Sequence, residues 1–342
     1  MKRIAVLTKD PWSPSPTRVR HLLSRMTGHD TVYFDPSPVR IPDALYEEPL
    51  RQGLSVVSLP KARLFRTLRL SNYVNRTLRT KGFGQPVLWV TSPEYSEPAK
   101  RVERSALIYD ASEGVPPPGD KTLAGMADVI LVSTAAQEAR VKPYGKPTLL
   151  LPNGVPFELF HREENLPFPD DLFNVRNPII GHLGALDRDV DLRYIEASAK
   201  AQPDWSFVFV GPVTDADVTP LEGLRNVFLL GHKPHKTLPV YVSRFDVCVN
   251  IARNIDASPM KLYSYLATGK PVVSTPHPAQ TLDYTEVLTI AATHGEFIAG
   301  IRKALRERDA WRVRRRIEYG RAASWDARIA NLERTMKELG IF

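Results

Sequence analysis

Short apolar, β-rich runs separated by helical stretches predict an α/β protein of two Rossmann-like domains with parallel sheets, because that alternation is the pattern of repeated βαβ units. The runs form two sets of about six, and 342 residues suffice for two domains that each bury a core. The first set is IAVLT (4–8), TVYF (31–34), LSVVSL (54–59), PVLWVT (86–91), SALIYD (105–110) and DVILVS (128–133). The second is PIIGHLG (178–184), WSFVFVG (205–211), NVFLL (226–230), FDVCVNI (245–251), PVVST (271–275) and EVLTIA (286–291). After the last of these the chain reads as Arg-rich helices, without internal sequence repeats or low-complexity tracts.

With 43% hydrophobic and 25% charged residues, the composition is that of a soluble globular protein. No run of 18 apolar residues occurs, and the apolar stretch of MKRIAVLTKDPW is too short for a signal peptide, so a cytoplasmic location is expected. The single cysteine, Cys248, lies in an apolar run and reads as core.

The net charge of +8 is unevenly spread. Residues 1–155 carry 22 Lys/Arg against 14 Asp/Glu, residues 156–300 carry 12 against 18, and residues 301–342 carry 12 against 6. Such polarity suits an anionic surface or acceptor. The sharpest basic segment, Lys61 to Lys81, holds seven Lys/Arg and no acid. On a helical wheel Leu64, Leu68, Val74 and Leu78 fall on one side and Arg66, Arg69 and Arg76 on the other. This is the pattern of a helix at an anionic membrane surface, and equally of a surface helix packed on its own sheet. Nucleic acid is not expected as a partner, since no recognition motif or aromatic platform accompanies the basic residues.

The most informative stretch is SPMKLYSYLATGKPVVST, residues 258–275. Ser258 followed by Pro marks a helix start, and Gly269 followed two residues on by Pro271 marks a stop. Lys261 therefore sits in the first turn and a half, beside free backbone N–H groups and the positive end of the macrodipole. A cation placed there implies an anion as ligand, and a phosphate would satisfy the ammonium and the amides together.

This segment resembles the nucleotide-sugar-binding segment of GT-B glycosyltransferases of the family-4 type, and within them the branch of the xanthan glucuronosyltransferase and teichuronic-acid-type enzymes. The resemblance implies a GT-B fold with two sheets facing a cleft, a donor site formed by Gly184, Arg253, Ser258, Met260, Lys261 and Ser264, and Lys261 on the donor diphosphate. Where the family carries a ribose-binding Glu this chain has Ser264, and Asp256 stands where the first Glu of the family's pair would fall. It also implies an interdomain linker entered at the P-N-G-V of residues 152–155 and a final helix returning to the first domain. The expected organisation is 1–155 for acceptor binding, 156–176 as linker, 177–320 for donor binding and 321–342 as the returning helix. No cofactor or metal is expected, since in such enzymes cationic side chains and helix dipoles hold the leaving group.

Three further stretches carry candidates. IIGHLGALDRDVDLRYIEA (179–197) reads as strand, Gly loop and a helix beginning around Asp189, with Gly181 and Gly184 letting backbone approach a ligand and Arg188 near the place of the family's phosphate-gripping Arg. His232 and His235 are three residues apart but lack completing ligands for a metal. TKDPWSPSPTRVRHLL (8–23) places Arg18, Arg20 and His21 in the first turns of a helix led by Thr17; acceptor contact and plain helix capping are the two readings. YDASEGVPPPGD (109–120) offers Asp110 and Glu113 at a strand's carboxyl end as candidate general bases, or as backbone caps.

The expected activity is transfer of a sugar from a nucleoside diphosphate to a glycan or lipid-linked acceptor of cell-surface polysaccharide synthesis, peripherally at the inner membrane face. The alternatives are a nucleotide-sugar epimerase of the same fold and a non-catalytic sugar-nucleotide or glycan-binding subunit.

Overall fold

In a computed structural model of the chain, all twelve apolar runs form strands, and they are divided between two parallel sheets. The structure describes residues 1–12, 17–37, 50–60, 67–112, 120–162, 166–253, 260–277 and 281–342. The first sheet contains β1 (Arg3–Leu7), β2 (Asp30–Asp35), β3 (Leu54–Ser58), β4 (Val87–Val90), β5 (Ala106–Asp110), β6 (Val129–Val132) and β7 (Thr148–Leu150), in the order β3-β2-β1-β4-β5-β6-β7. The second contains β8 (Ile179–Leu183), β9 (Ser206–Val210), β10 (Val227–Leu229), β11 (Val247–Asn250), β12 (Val272–Ser274) and β13 (Leu288–Ile290), in the order β10-β9-β8-β11-β12-β13. Both orders reverse direction once, between β1 and β4 and between β8 and β11. At such switch points the loops leave opposite faces of the sheet and open a crevice beyond the strands' carboxyl ends.

The central strands are legible because both faces are covered: β6 (VILV) and β9 (SFVFV) are buried throughout. β7 is the strand the apolar pattern does not reveal. It is a three-residue edge strand with Leu150 38% exposed, and it lies where the sequence reads as an approach to a linker.

Residues 1–153 with 325–342 form one unit, and residues 154–324 the other. The segment 156–176, expected as a linker, belongs to the second unit. Phe157, Phe160 and Leu172 lie in its core, packed in one cluster with Leu262, Tyr265 and Val272. The helix Trp325–Glu338 packs on the helix Arg18–Arg25 in the first unit, with Trp325, Leu332 and Met336 fully buried.

The basic segment forms the helix Thr67–Thr80, with Val74 and Leu78 buried and Arg69 and Arg76 exposed; Leu64 and Arg66 lie outside the described residues. Arg79 is paired with Glu103, an acid from outside the segment. Among the described residues no helix is long and apolar enough to cross a membrane. Cys248 is fully buried, and burial pushes its thiol up to about 12, as fits a core residue.

Candidate functional site

The second sheet's switch point brings β8, β11 and the helix Met260–Thr268 together. That helix ends where expected: Gly269 adopts φ +72°, and its N–H bonds the Leu266 carbonyl at 3.0 Å. Its outer side is covered closely by the helix Ala310–Ala322, where a Cβ on Gly320 would come within 2.5 Å of the Ala267 backbone. Its inner side is tied to β8 by Tyr265, whose hydroxyl accepts the Leu183 N–H at 2.7 Å. Lys261 therefore projects from a platform fixed on both sides.

The Lys261 side chain lies against Gly184, where an added Cβ would meet Cε at 3.1 Å, Cδ at 3.2 Å and Nζ at 3.3 Å. Gly184 also holds φ +112°, which L side chains rarely adopt. This glycine makes room for the lysine itself. Gly181 has a different role from the one expected: a Cβ there would overlap the Phe245 ring at 2.1 Å, so its smallness serves sheet-to-helix packing rather than a ligand.

Nζ of Lys261 lies 3.3 Å from Nε2 of His182, a fully buried residue of β8. The other ring nitrogen, Nδ1, is 3.1 Å from the Val249 carbonyl, which only a protonated Nδ1 satisfies. Nε2 therefore presents its lone pair to the ammonium. Burial, then the Lys261 cation, hold His182 well below the usual histidine range, against the opposing pull of the Val249 carbonyl. Burial also lowers Lys261, while Asp187 and Asp189 act on it in the opposite sense. Among the described residues no carboxylate forms an ion pair with Lys261. It is a half-buried cation fixed at a helix start, and a phosphate would supply its missing counter-charge.

His182 carries no motif that marks it in the sequence. The one signal it left is a polar residue inside the otherwise apolar strand IIGHL. Its neutral native form has a consequence for stability. The folded-state pKa lies below the unfolded value of about 6.5, so the unfolded chain binds the extra proton and the stability held at neutral pH is lost as pH falls below that value. His182→Gln, which keeps an acceptor for Lys261 but cannot protonate, should reduce the loss measured by urea unfolding between pH 7.5 and 5.5 by about 1.4 kcal/mol. An identical loss in both proteins would contradict the assignment.

The remaining expected donor residues are placed as follows. Ser264 donates its hydroxyl to the Met260 carbonyl at 3.2 Å within the helix, and Met260 is 37% exposed. Arg253 is exposed, with its backbone N–H on the Asp189 carbonyl, and lines a cavity of about 340 Å³ with Arg188, Asp187, Asp215 and Asp217. Ser258 and Asp256 lie outside the described residues. The helix expected near Asp189 begins at Arg193, because Asp187 and Asp191 accept the N–H groups of Asp189 and Arg193 and hold the intervening chain in turns.

In the first unit, two expected residues meet. Arg18 donates from Nε to Asp110 Oδ2 at 3.3 Å, and its other nitrogens bind Asn153 Oδ1 at 3.1 Å and the Leu151 carbonyl at 2.7 Å. Asp110 ends β5 and is 1% exposed, and its Oδ1 has no hydrogen-bond partner among the described residues. Glu113 lies outside the described residues. Arg20 and His21, expected to reach an acceptor, instead face the interior. Arg20 lies over the Trp12 ring, and His21 stacks at 4.9 Å on Trp325, the first residue of the chain's last helix. The expected capping by Thr17 is present, through its side chain on the Arg20 N–H.

Two Rossmann-like sheets, with a lysine-bearing helix start at the second switch point, define a GT-B architecture. Residues 177–307, within the second unit, match the model of the family described as glycosyl transferases group 1. Over 134 residues the chain is 34% identical to the candidate teichuronic acid biosynthesis glycosyltransferase TuaH of Bacillus subtilis (strain 168), covering 37% of this chain and 34% of TuaH. The match thus spans about a third of that relative. Whole-chain structural similarity extends to the sucrose-phosphate synthase of Thermosynechococcus elongatus, with a TM-score of 0.70 at 17% identity and 99% of each chain covered. It extends also to Anabaena HepE in complex with UDP and glucose, with a TM-score of 0.70 at 15% identity, covering 98% of this chain and 99% of that one. These two likenesses establish the fold.

Proposed function

We propose that this chain is a glycosyltransferase that moves a sugar from a nucleoside diphosphate to a glycan or lipid-linked acceptor in cell-surface polysaccharide synthesis. The observation that carries the reading is Lys261, a half-buried cation held without an ion-pair partner among the described residues at a helix start on the second sheet's switch point. As the diphosphate departs, charge accumulates on its oxygens. Lys261 and the helix N-terminus stabilise that charge without reorganising, and His182 keeps the ammonium aimed. HepE, with UDP and glucose, and TuaH, named for teichuronic acid biosynthesis, support the donor class and the polysaccharide context.

On this reading Arg253, Ser258, Met260 and Ser264 complete the donor side, and the first unit takes the acceptor. Where the reaction inverts the anomeric carbon, Asp110 is the base. Arg18 anchors Oδ2 and leaves Oδ1 to accept the acceptor's hydroxyl proton, so Arg18 acts through Asp110. Glu113 remains the alternative base. No metal is required, because lysine and helix dipole supply the positive charge.

The test is incubation of the purified chain with UDP-, GDP-, ADP- and dTDP-sugars in excess EDTA. Release of nucleoside diphosphate from one of them is expected. Binding without turnover would favour a non-catalytic subunit, a changed sugar on intact donor an epimerase, and dependence on added metal would overturn the metal-free mechanism.

The exposed Arg69 and Arg76 suit an anionic membrane face carrying a lipid-linked acceptor. Replacing both by Gln should weaken binding to phosphatidylglycerol vesicles roughly tenfold or more, at about 1 kcal/mol for each cation. Unchanged vesicle binding would leave them as solvated surface charges.

A further inference from the structure

A second cationic feature lies away from Lys261. The helix His294–Ala304 runs back from the carboxyl edge of the second sheet, and the loop after it leads into the helix Ala310–Ala322. Between them a cavity of about 550 Å³ is lined by Arg302, Lys303, Arg306, Arg308 and Arg312 with Glu307 and Asp309. It lies near the start of β13, where Arg312 reaches the Leu288 carbonyl at 3.2 Å, and so toward the sheet's amino edge.

Both acids are already engaged by the protein. Glu307 binds the buried Arg316 with both oxygens, at 2.5 and 2.6 Å, and also pairs with Arg312 at 3.4 Å. Asp309 caps the next helix, accepting the N–H groups of Trp311 and Arg312. Arg302, Lys303 and Arg306 have no ion-pair partner among the described residues, and Nε of Arg312 is buried without a hydrogen-bond partner among them. The helix dipole accounts for Arg302 and Lys303 in a last turn; it does not account for Arg306 and Arg308 beyond the helix end.

Next to Arg312 in the chain stands an exposed aromatic. Trp311 is 49% exposed, and Val313 two residues on is 38% exposed. An apolar, hydrogen-bonding ring beside uncompensated cations is the combination that seats a surface at the headgroup level of an anionic bilayer.

We propose that this cavity and Trp311 form a membrane contact on the second unit, with the cavity taking the phosphate of an anionic lipid headgroup and the Trp311 ring entering the interface. The proposal goes beyond the transferase reading and does not depend on it.

The tryptophans make the test direct, because Trp12, Trp89, Trp205 and Trp325 are all buried and Trp311 is the one exposed. The full chain is mixed with vesicles of brominated phosphatidylglycerol or brominated phosphatidylcholine, and tryptophan emission is followed. Quenching is expected with the anionic lipid alone, and it should disappear in Trp311→Phe. Arg302→Gln/Lys303→Gln/Arg306→Gln, on exposed side chains that leave the fold intact by circular dichroism, should need on the order of 100-fold more lipid for equal quenching. Four results overturn the proposal: no binding to anionic vesicles, binding without Trp311 quenching, unchanged quenching in the triple variant, or full displacement by millimolar glycerol phosphate, which would make the cavity a site for soluble phosphates.

Discussion

Lys261→Ala is expected to cost about 2 to 4 kcal/mol of transition-state stabilisation, a fall of roughly 30- to 1000-fold in turnover, as when one preorganised charge partner of a leaving group is removed. Stability should change little, because the variant removes a cation whose charge the fold disfavours but leaves Nε2 of the buried His182 without its donor. Burial lowers the pKa of Lys261, which means that the folded state disfavours its charged form, and no ion pair among the described residues compensates. The helix does not depend on it: Tyr265 still ties it to β8, Gly320 still lets the next helix close over it, and alanine is the best helix former. The expected pattern is a folded protein of similar Tm with little donor turnover. Normal turnover in the variant would remove Lys261 from the mechanism, and loss of the cooperative unfolding transition would show that it is structural. His182→Asn sharpens the point. It retains a short side-chain donor for the Val249 carbonyl but loses the acceptor facing Nζ, so it should lower turnover where His182→Gln preserves it.

The position of Lys261 was legible because local rules set it. Gly269 closes the helix, and counting back from that stop puts Lys261 at its other end, the second residue of Met260–Thr268. The sheets were legible for a similar reason, since strands covered on both faces must be continuously apolar. What escaped the sequence depends on partners distant along the chain. His182 acquires its role from a lysine 79 residues away and a carbonyl 67 residues away. Arg20 and His21 look like solvent-facing residues of a short amphipathic helix until Trp12 and the helix Trp325–Glu338, respectively, pack against them. Gly181 reads as a ligand-facing glycine because sequence shows its smallness but not the Phe245 ring that requires it. The segment 156–176 reads as a linker because its prolines and acids outweigh Phe157, Phe160 and Leu172, and only packing shows that those three are core.

Asp110→Asn separates chemistry from structure in the first unit. If Asp110 takes the acceptor's proton, the amide should lower turnover roughly 100-fold or more while leaving the donor's KM nearly unchanged, because general-base catalysis contributes about that factor and the residues proposed to bind the donor lie in the other unit. Asparagine keeps the shape, and its carbonyl oxygen still accepts from Arg18, so the fold should persist with a modest loss of stability. Arg18→Met is the informative partner. It leaves a carboxylate 1% exposed without its cation, and it also removes the donor to the Leu151 carbonyl, so a loss of about 3 to 5 kcal/mol is expected, the cost of breaking a buried pair from one side. The double variant should recover part of that loss, since it removes the uncompensated charge, yet stay as inactive as Asp110→Asn. Near-normal turnover in a folded Asp110→Asn protein would reduce the pair to a structural tie between β5 and the helix Arg18–Arg25, and would move the base to Glu113 or to a mechanism that retains configuration.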